Sequence, residues 1–151
     1  MSVRVQEDDF DVAAELAELQ AGGAGAGALV SFVGLVRDLS GGAAVSEMSL
    51  EHYPGMTEKA LAAIAGEARR RWPLNAVRVV HRVGRLLPGE RIVFVGVASA
   101  HRGAAFAAGE FIIDTLKTRA PFWKREVTSA GARWVEAHAA DDAAAGRWGE
   151  R

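Results

Sequence analysis

The sequence contains no cysteine among its 151 residues. This absence excludes disulfide bonds, thiolate zinc sites, iron–sulfur clusters and any cysteine nucleophile or persulfide. Long hydrophobic runs are also missing, because the two longest, Ala28–Val36 and Ile92–Ala100, have nine residues each, whereas a membrane-spanning helix needs about 20. The acidic N-terminus lacks the apolar segment of a secretory signal, so we expect no membrane association and a cytoplasmic location.

An excess of charge of one sign is missing as well, since the formal net charge is −1. The molecule as a whole therefore has no strong field that would attract nucleic acid, and we expect no nucleic-acid partner. Lysine is scarce: the 18 basic residues include only Lys59, Lys117 and Lys124. A lysine amine can release its proton, whereas arginine stays charged. The closeness of Lys117 and Lys124 in the sequence fits a catalytic role for the pair, and chance placement explains it equally well.

The composition is that of one globular domain, because 50% of the residues are hydrophobic and 25% are charged. Hydrophobic periodicity predicts the element order βαββαββαββ, hence an α+β fold with a mixed or antiparallel sheet, about three helices and a C-terminal hairpin. Thr57 is the predicted N-cap of the second helix. We expect the domain to cover residues 1–138. The Ala- and Asp-rich segment 139–151 is predicted to be a mobile tail, with Trp148 docking onto a surface.

The segment around the two lysines predicts an anion-binding site. Lys117 falls in the last turn of the third predicted helix, where the helix dipole favours a cation. Strand alternation places Phe122, Lys124 and Glu126 on one face and Arg125 on the other. A capping lysine and a surface ion pair would explain each lysine alone. Four positive charges together indicate an anionic ligand; they belong to Lys117, Arg119, Lys124 and Arg125.

A second basic pair, His101-Arg102, opens the third predicted helix directly after a buried strand. Backbone N–H groups at such a helix start also bind anions, although an ordinary polar helix start is an equally good interpretation. Arg37, at the end of the strand Ala28–Arg37, is a third candidate, and a solvated strand terminus is the alternative interpretation. The remaining histidines, His52, His81 and His138, lack metal-binding spacing, so we interpret them as ordinary polar residues and expect no metal site.

Four segments together resemble the catalytic (large) subunits of molybdopterin synthase. The resemblance runs from about Ala28 to Ala137, in the family's order and with similar spacing. The four segments are LEHYPGMTEKAL at 50–61, RWPL at 71–74, IVFVGVASAHR at 92–102 and LKTRAPFWKRE at 116–126. The last of them is the most specific part of the resemblance. The resemblance implies an alpha/beta-hammerhead-like single domain without a cofactor of its own.

The resemblance also implies an activity and partners. In that family a small ubiquitin-like subunit carries sulfur as a thiocarboxylate on its C-terminal Gly-Gly tail. The large subunit, a sulfurtransferase, uses two such deliveries to convert cyclic pyranopterin monophosphate into the dithiolene molybdopterin, a step of molybdenum cofactor biosynthesis. Two large subunits form the central homodimer of a heterotetramer. The absence of cysteine fits this scheme, because the partner carries the sulfur.

Carried over position by position, the resemblance makes Lys117 and Lys124 the catalytic pair. Lys117 would exchange a proton or stabilise charge, and Lys124 would meet the incoming thiocarboxylate. The implied substrate-binding residues are Leu35, Val36, Arg37, His101, Arg102, Lys117, Lys124, Arg125 and Glu126. Two positions that are often basic in the family differ here, being Leu35 and His138. The alternative is a non-catalytic binding module for a ubiquitin-like partner or a phosphometabolite.

Overall fold

The computed structural model describes residues 1–40, 42–135, 139–146 and 148–149. Within these ranges the chain forms nine strands and four helices in the mixed α+β arrangement that the sequence predicts. In chain order the elements are β1 (Ser2–Gln6), α1 (Val12–Gly22), β2 (Ala28–Leu35), β3 (Leu39–Ser40), β4 (Ala43–His52), α2 (Met56–Arg71), β5 (Leu74–Arg82), β6 (Gly84–Leu86), β7 (Arg91–Ser99), α3 (Arg102–Arg119), β8 (Phe122–Thr128), β9 (Gly131–Val135) and α4 (Ala139–Gly146).

The first sheet carries the main core and has the strand order β1-β5-β7-β2. β1 runs parallel to β5, and the other two pairings are antiparallel. Helices α2 and α3 pack on one face and α1 on the other. Because both faces are covered, β7 is buried along most of its length, as its continuous apolar run predicts. Val97, Ala98 and Ile112 have no exposed surface.

The second sheet has the strand order β3-β4-β8-β9, and β6 also pairs with β4. Gly84 carries the chain from β5 into β6 with a φ of +85°, a conformation that residues with a Cβ rarely adopt. Met48 and Leu50 of β4 are buried, as the alternation of this strand predicts. They contribute to a smaller core with Val36 and Leu86.

The turn after α3 joins the two sheets. The helix packs on the first sheet and ends at Arg119, and Phe122 opens β8 in the second. β8 pairs antiparallel with β4 in a register that places Phe122 opposite His52 and Lys124 opposite Leu50. Lys117 and Lys124 therefore lie on either side of the short connection Ala120–Pro121 between α3 and β8, which we name the reversal.

Two expectations about elements need correction. The sequence predicts one sheet, but the described strands form two, because pairing partners depend on tertiary contacts that periodicity does not encode. Thr57 is predicted as a helix cap, but α2 begins one residue earlier, at Met56, and its N-cap is Gly55. The Gly55 N–H donates to the Glu58 carboxylate at 3.0 Å, so the helix start is satisfied without Thr57.

The C-terminal segment contains a helix that the sequence pattern does not predict, α4 at Ala139–Gly146. Beyond it, Trp148 docks edge-on against Trp72 and Phe111, with ring centroids 5.6 and 5.7 Å apart. Its indole N–H donates to Asp114 at 2.7 Å. The expected docking of Trp148 is thus confirmed, while the domain boundary at residue 138 stays a prediction. Among the described residues, no helix combines the length and apolarity needed to cross a bilayer.

Candidate active site

Lys117 lies at the centre of a cluster of positive charges at the end of α3. By surface area Lys117 is exposed, but its ammonium group has enough protein atoms around it that partial loss of hydration lowers the pKa of Lys117. The charges of Lys124 and Arg37 lower that pKa further, whereas Asp141 of α4 acts in the opposite direction. The structure therefore brings together three side chains from β8, α3 and the end of β2.

Lys124 projects from β8 on the face that the alternation predicts. Phe122 and Lys124 are half-buried, and Glu126 on the same face is only 4% exposed. The flanking Trp123 and Arg125 are exposed on the opposite face. A buried carboxylate thus lies two residues from Lys124 on its own face, while Arg125 points away from the face that carries Lys124.

Arg37 lines an open surface cleft of about 560 Å³. Val36 anchors this wall through its backbone, which accepts from the Gly89 N–H and donates to the Glu90 carbonyl, both at 2.9 Å. Leu35 is 54% exposed and offers an apolar surface. Leu35, Val36 and Arg37 therefore share one cleft; its lining is Leu35, Val36, Arg37, Asp38, Leu39, Pro88 and Gly89.

His101 and Arg102 lie at the other end of α3. His101 is the N-cap residue with extended backbone, and Arg102 is the first residue of the helix; both are exposed. At 1.5 Å per residue, Arg102 is about 22 Å along the helix axis from Lys117. Within one chain, the structure does not bring this pair to the lysine cluster. His138, the other residue noted for its departure from the family pattern, lies outside the described residues.

His81 is a residue near the site that the sequence analysis interprets as ordinary. It is 6% exposed, and its ring stacks on Phe122 with the centroids 3.9 Å apart and the planes 21° apart. Burial lowers the pKa of His81 to about 4, and the charges of Lys117 and His52 add to this effect. The ring is therefore neutral at pH 7, and Nδ1, 2.8 Å from the Arg82 carbonyl, carries the proton that it donates. The one feature of the sequence that points to this buried position is that His81 lies in an apolar strand.

The side chains that form the site are positively charged. Across the described ranges, no three metal-ligating side chains come together in a way that could hold a metal ion. Two lysines and an arginine instead favour an anion such as a phosphate or a carboxylate. A lysine with a lowered pKa can also take up and release a proton near neutral pH more readily than an ordinary one.

Comparison with known proteins agrees with this description. Residues 5–119 match the family described as MoaE protein. A relative from Ralstonia nicotianae, named molybdopterin synthase catalytic subunit, is 60% identical over 148 residues, which cover 98% of this chain and 84% of the relative. A relative of the same name from Pseudomonas aeruginosa is 60% identical over 150 residues, which cover 99% of this chain and 100% of the relative.

A solved structure shares the fold over the whole chain. The molybdopterin biosynthesis MoaE protein from Burkholderia ambifaria MC40-6 is similar with a TM-score of 0.85 and 58% sequence identity, over 99% of both chains. The similarity of fold and sequence thus extends over nearly the whole chain. The chain belongs to the MoaE family.

Proposed function

We propose that the chain is the catalytic subunit of a molybdopterin synthase. In this proposal it transfers sulfur from the C-terminal thiocarboxylate of a small ubiquitin-like partner to cyclic pyranopterin monophosphate, and so forms the dithiolene of molybdopterin. The observation that carries the proposal is the proximity of Lys124 and Arg37 to Lys117, with Arg37 lining the cleft, in a chain without cysteine. The names of the two relatives support it. The expected cytoplasmic location remains part of the proposal.

The cluster has the charges that the reactants require. The substrate carries a phosphate and the partner's tail a thiocarboxylate, so both are anions. Arg37, which lines the cleft, is suited to charge-assisted hydrogen bonds with the phosphate. Lys124, supported on its own face by the buried Glu126, is placed to meet the thiocarboxylate. The predicted role of Arg125 in substrate binding stays a prediction, because its side chain is on the opposite face.

Lys117 is the group suited to proton transfer. Each delivery turns the thiocarboxylate into a carboxylate and replaces one carbon–oxygen bond of the substrate side chain by a carbon–sulfur bond. The departing oxygen needs a proton, and the lowered pKa of Lys117 makes its ammonium a stronger acid than that of an ordinary lysine. The amine left behind can then accept a proton before the second delivery.

We propose that a second copy of the chain supplies His101 and Arg102. These two residues are about 22 Å from Lys117 in one chain, so they can join the same site only from another chain. Apolar side chains are exposed on α3 and on the outer strand β2: Phe106 is 63% exposed, and Phe32 is 40% exposed. Exposed apolar patches of this kind are typical of interaction surfaces. This arrangement agrees with the expected central homodimer of a heterotetramer.

Reconstitution tests the proposed function. The purified chain is mixed with a thiocarboxylated small subunit and cyclic pyranopterin monophosphate, and the dithiolene product is measured together with loss of the thiocarboxylate. We expect product with two sulfur atoms consumed per molecule. Binding of the small subunit without any product would instead support the alternative, a non-catalytic binding module.

A further inference from the structure

Thr57, in the first turn of α2, is a buried hydroxyl whose two partners lie outside its own helix. Its side chain has no exposed surface. The hydroxyl accepts a hydrogen bond from the Tyr53 N–H at 3.0 Å and donates one to the Pro121 carbonyl at 3.1 Å. One accepted and one donated bond engage both functions of a hydroxyl group.

The start of α2 does not need this hydroxyl. A threonine at a helix start ordinarily caps the free backbone N–H groups, but here Gly55 is the N-cap and the Glu58 carboxylate accepts from its N–H. The Thr57 N–H is itself bonded to the Tyr53 carbonyl at 2.9 Å. The hydroxyl is thus free to reach Pro121, which is 64 residues further along the chain.

Pro121 lies in the reversal between the two site lysines. The Ala120 N–H still bonds back to the Leu116 carbonyl at 3.3 Å, and the Phe122 N–H bonds to the Ala120 carbonyl at 2.9 Å. These bonds are local to the reversal. The bond from Thr57 links it to α2 and, through Tyr53, to the end of β4, whose last residue pairs with Phe122.

We propose that Thr57 is a positioning residue for the lysine site, and that its hydroxyl fixes the reversal that sets the separation of Lys117 and Lys124. The two ammonium groups repel each other, so a reversal without this tie would relax toward a wider separation. The effect on turnover rests on the proposed function. The effect on the geometry of the lysines does not.

Three variants separate this role from a general loss of stability. Thr57→Val keeps the shape and removes the hydroxyl, and Thr57→Ser keeps the hydroxyl. Thr128→Val is the matched control: Thr128 is 7% exposed, accepts from the Ala130 N–H at 3.1 Å and donates to the Gly131 carbonyl at 3.0 Å. It lies about 13 Å along β8 from Lys124, so its loss leaves the reversal untouched.

The first readout needs no activity. Lysines labelled with ¹³C are titrated by NMR, and the chain has only three lysines to assign. In Thr57→Val we expect the Lys117 titration to move to higher pH, since a more distant Lys124 disfavours its ammonium less. Thr57→Ser and Thr128→Val should titrate like the unaltered chain. An unchanged Lys117 titration in Thr57→Val overturns the proposal, whatever the turnover assay shows.

The second readout is turnover by the reconstituted enzyme. We expect kcat of Thr57→Val to fall about tenfold or more with KM changed less than about twofold, because small misplacements of reacting groups slow the chemical step. Thr57→Ser should restore kcat, and Thr128→Val should keep it. Equal losses of kcat in Thr57→Val and Thr128→Val would contradict a positioning role.

A third measurement covers the case in which Thr57→Val does not fold. Hydrogen exchange of the Tyr53 amide is followed in the unaltered chain, where the bond to the Thr57 hydroxyl should slow exchange well below that of a free amide. In Thr57→Ser the amide should stay protected. Exchange of the Tyr53 amide at the free rate in the unaltered chain would overturn the proposal directly.

Discussion

The buried His81 should make the stability of the protein depend on pH in a way that one substitution removes. The pKa of His81 falls from 6.5 to about 4 on folding, chiefly through burial. The unfolded chain therefore takes up a proton at a pH where the folded chain does not, so the free energy of unfolding decreases as the pH falls from about 6.5 to about 4. At about 1.4 kcal/mol per pH unit, the interval from 6.5 to about 4 corresponds to roughly 3–4 kcal/mol.

The assay is urea unfolding at a series of pH values between 7 and 4, at one protein concentration. His81→Gln and His81→Phe both remove the titrating ring, so both should lose this part of the acid sensitivity. Phe122→Leu removes the stacked ring but keeps His81, and should retain it. Carboxylates such as Asp9, whose pKa is lowered by its hydrogen bond with Arg91, titrate equally in all four chains and cancel. Parallel pH profiles for the unaltered chain and His81→Gln would refute the reasoning.

Three further predictions concern the site. Arg102→Ala should weaken binding of the pterin phosphate by about one to two decades in calorimetry, the value of one charge-assisted contact, and an unchanged affinity would move the phosphate site elsewhere. If Arg102 acts across the dimer, mixing equal amounts of the Arg102→Ala and Lys117→Ala chains should restore about a quarter of full turnover. Half of the dimers then contain one chain of each kind, and each of these has one complete site out of two. No recovery would contradict the shared site. Without substrate, the thiocarboxylated partner should acylate Lys124, releasing hydrosulfide, and mass spectrometry should find the Gly-Gly remnant there. A remnant mainly at Lys59 would contradict this placement of the tail.

Features set by local periodicity could be predicted from the sequence. The alternation of β8 places Lys124 and Glu126 on one face because successive strand residues point to opposite sides, and their burial in the structure agrees. Helix α3 is likewise predictable from its apolar face and from Pro121, which cannot continue a helix. These are properties of neighbouring residues and need no knowledge of the tertiary structure.

Features set by distant contacts could not be predicted. Thr57 looks like a helix cap because the pattern shows only its neighbours, whereas its hydroxyl bonds to a residue 64 positions away. His81 looks like an ordinary polar residue because its stacking on Phe122 brings together two strands of different sheets. The distance between Arg102 and Lys117 follows from the length of α3, and the sequence resemblance alone places both in one site.

The central claim is that Lys117 acts by exchanging a proton, and a single-turnover experiment with Lys117→Arg tests it most directly. Arginine keeps the positive charge but does not release its proton. We predict that the reconstituted Lys117→Arg chain folds and binds the thiocarboxylated partner but forms no dithiolene product, while the matched Lys59→Arg chain reacts at the normal rate. Dithiolene formation by Lys117→Arg at a rate close to normal would contradict the account and reduce Lys117 to a fixed charge.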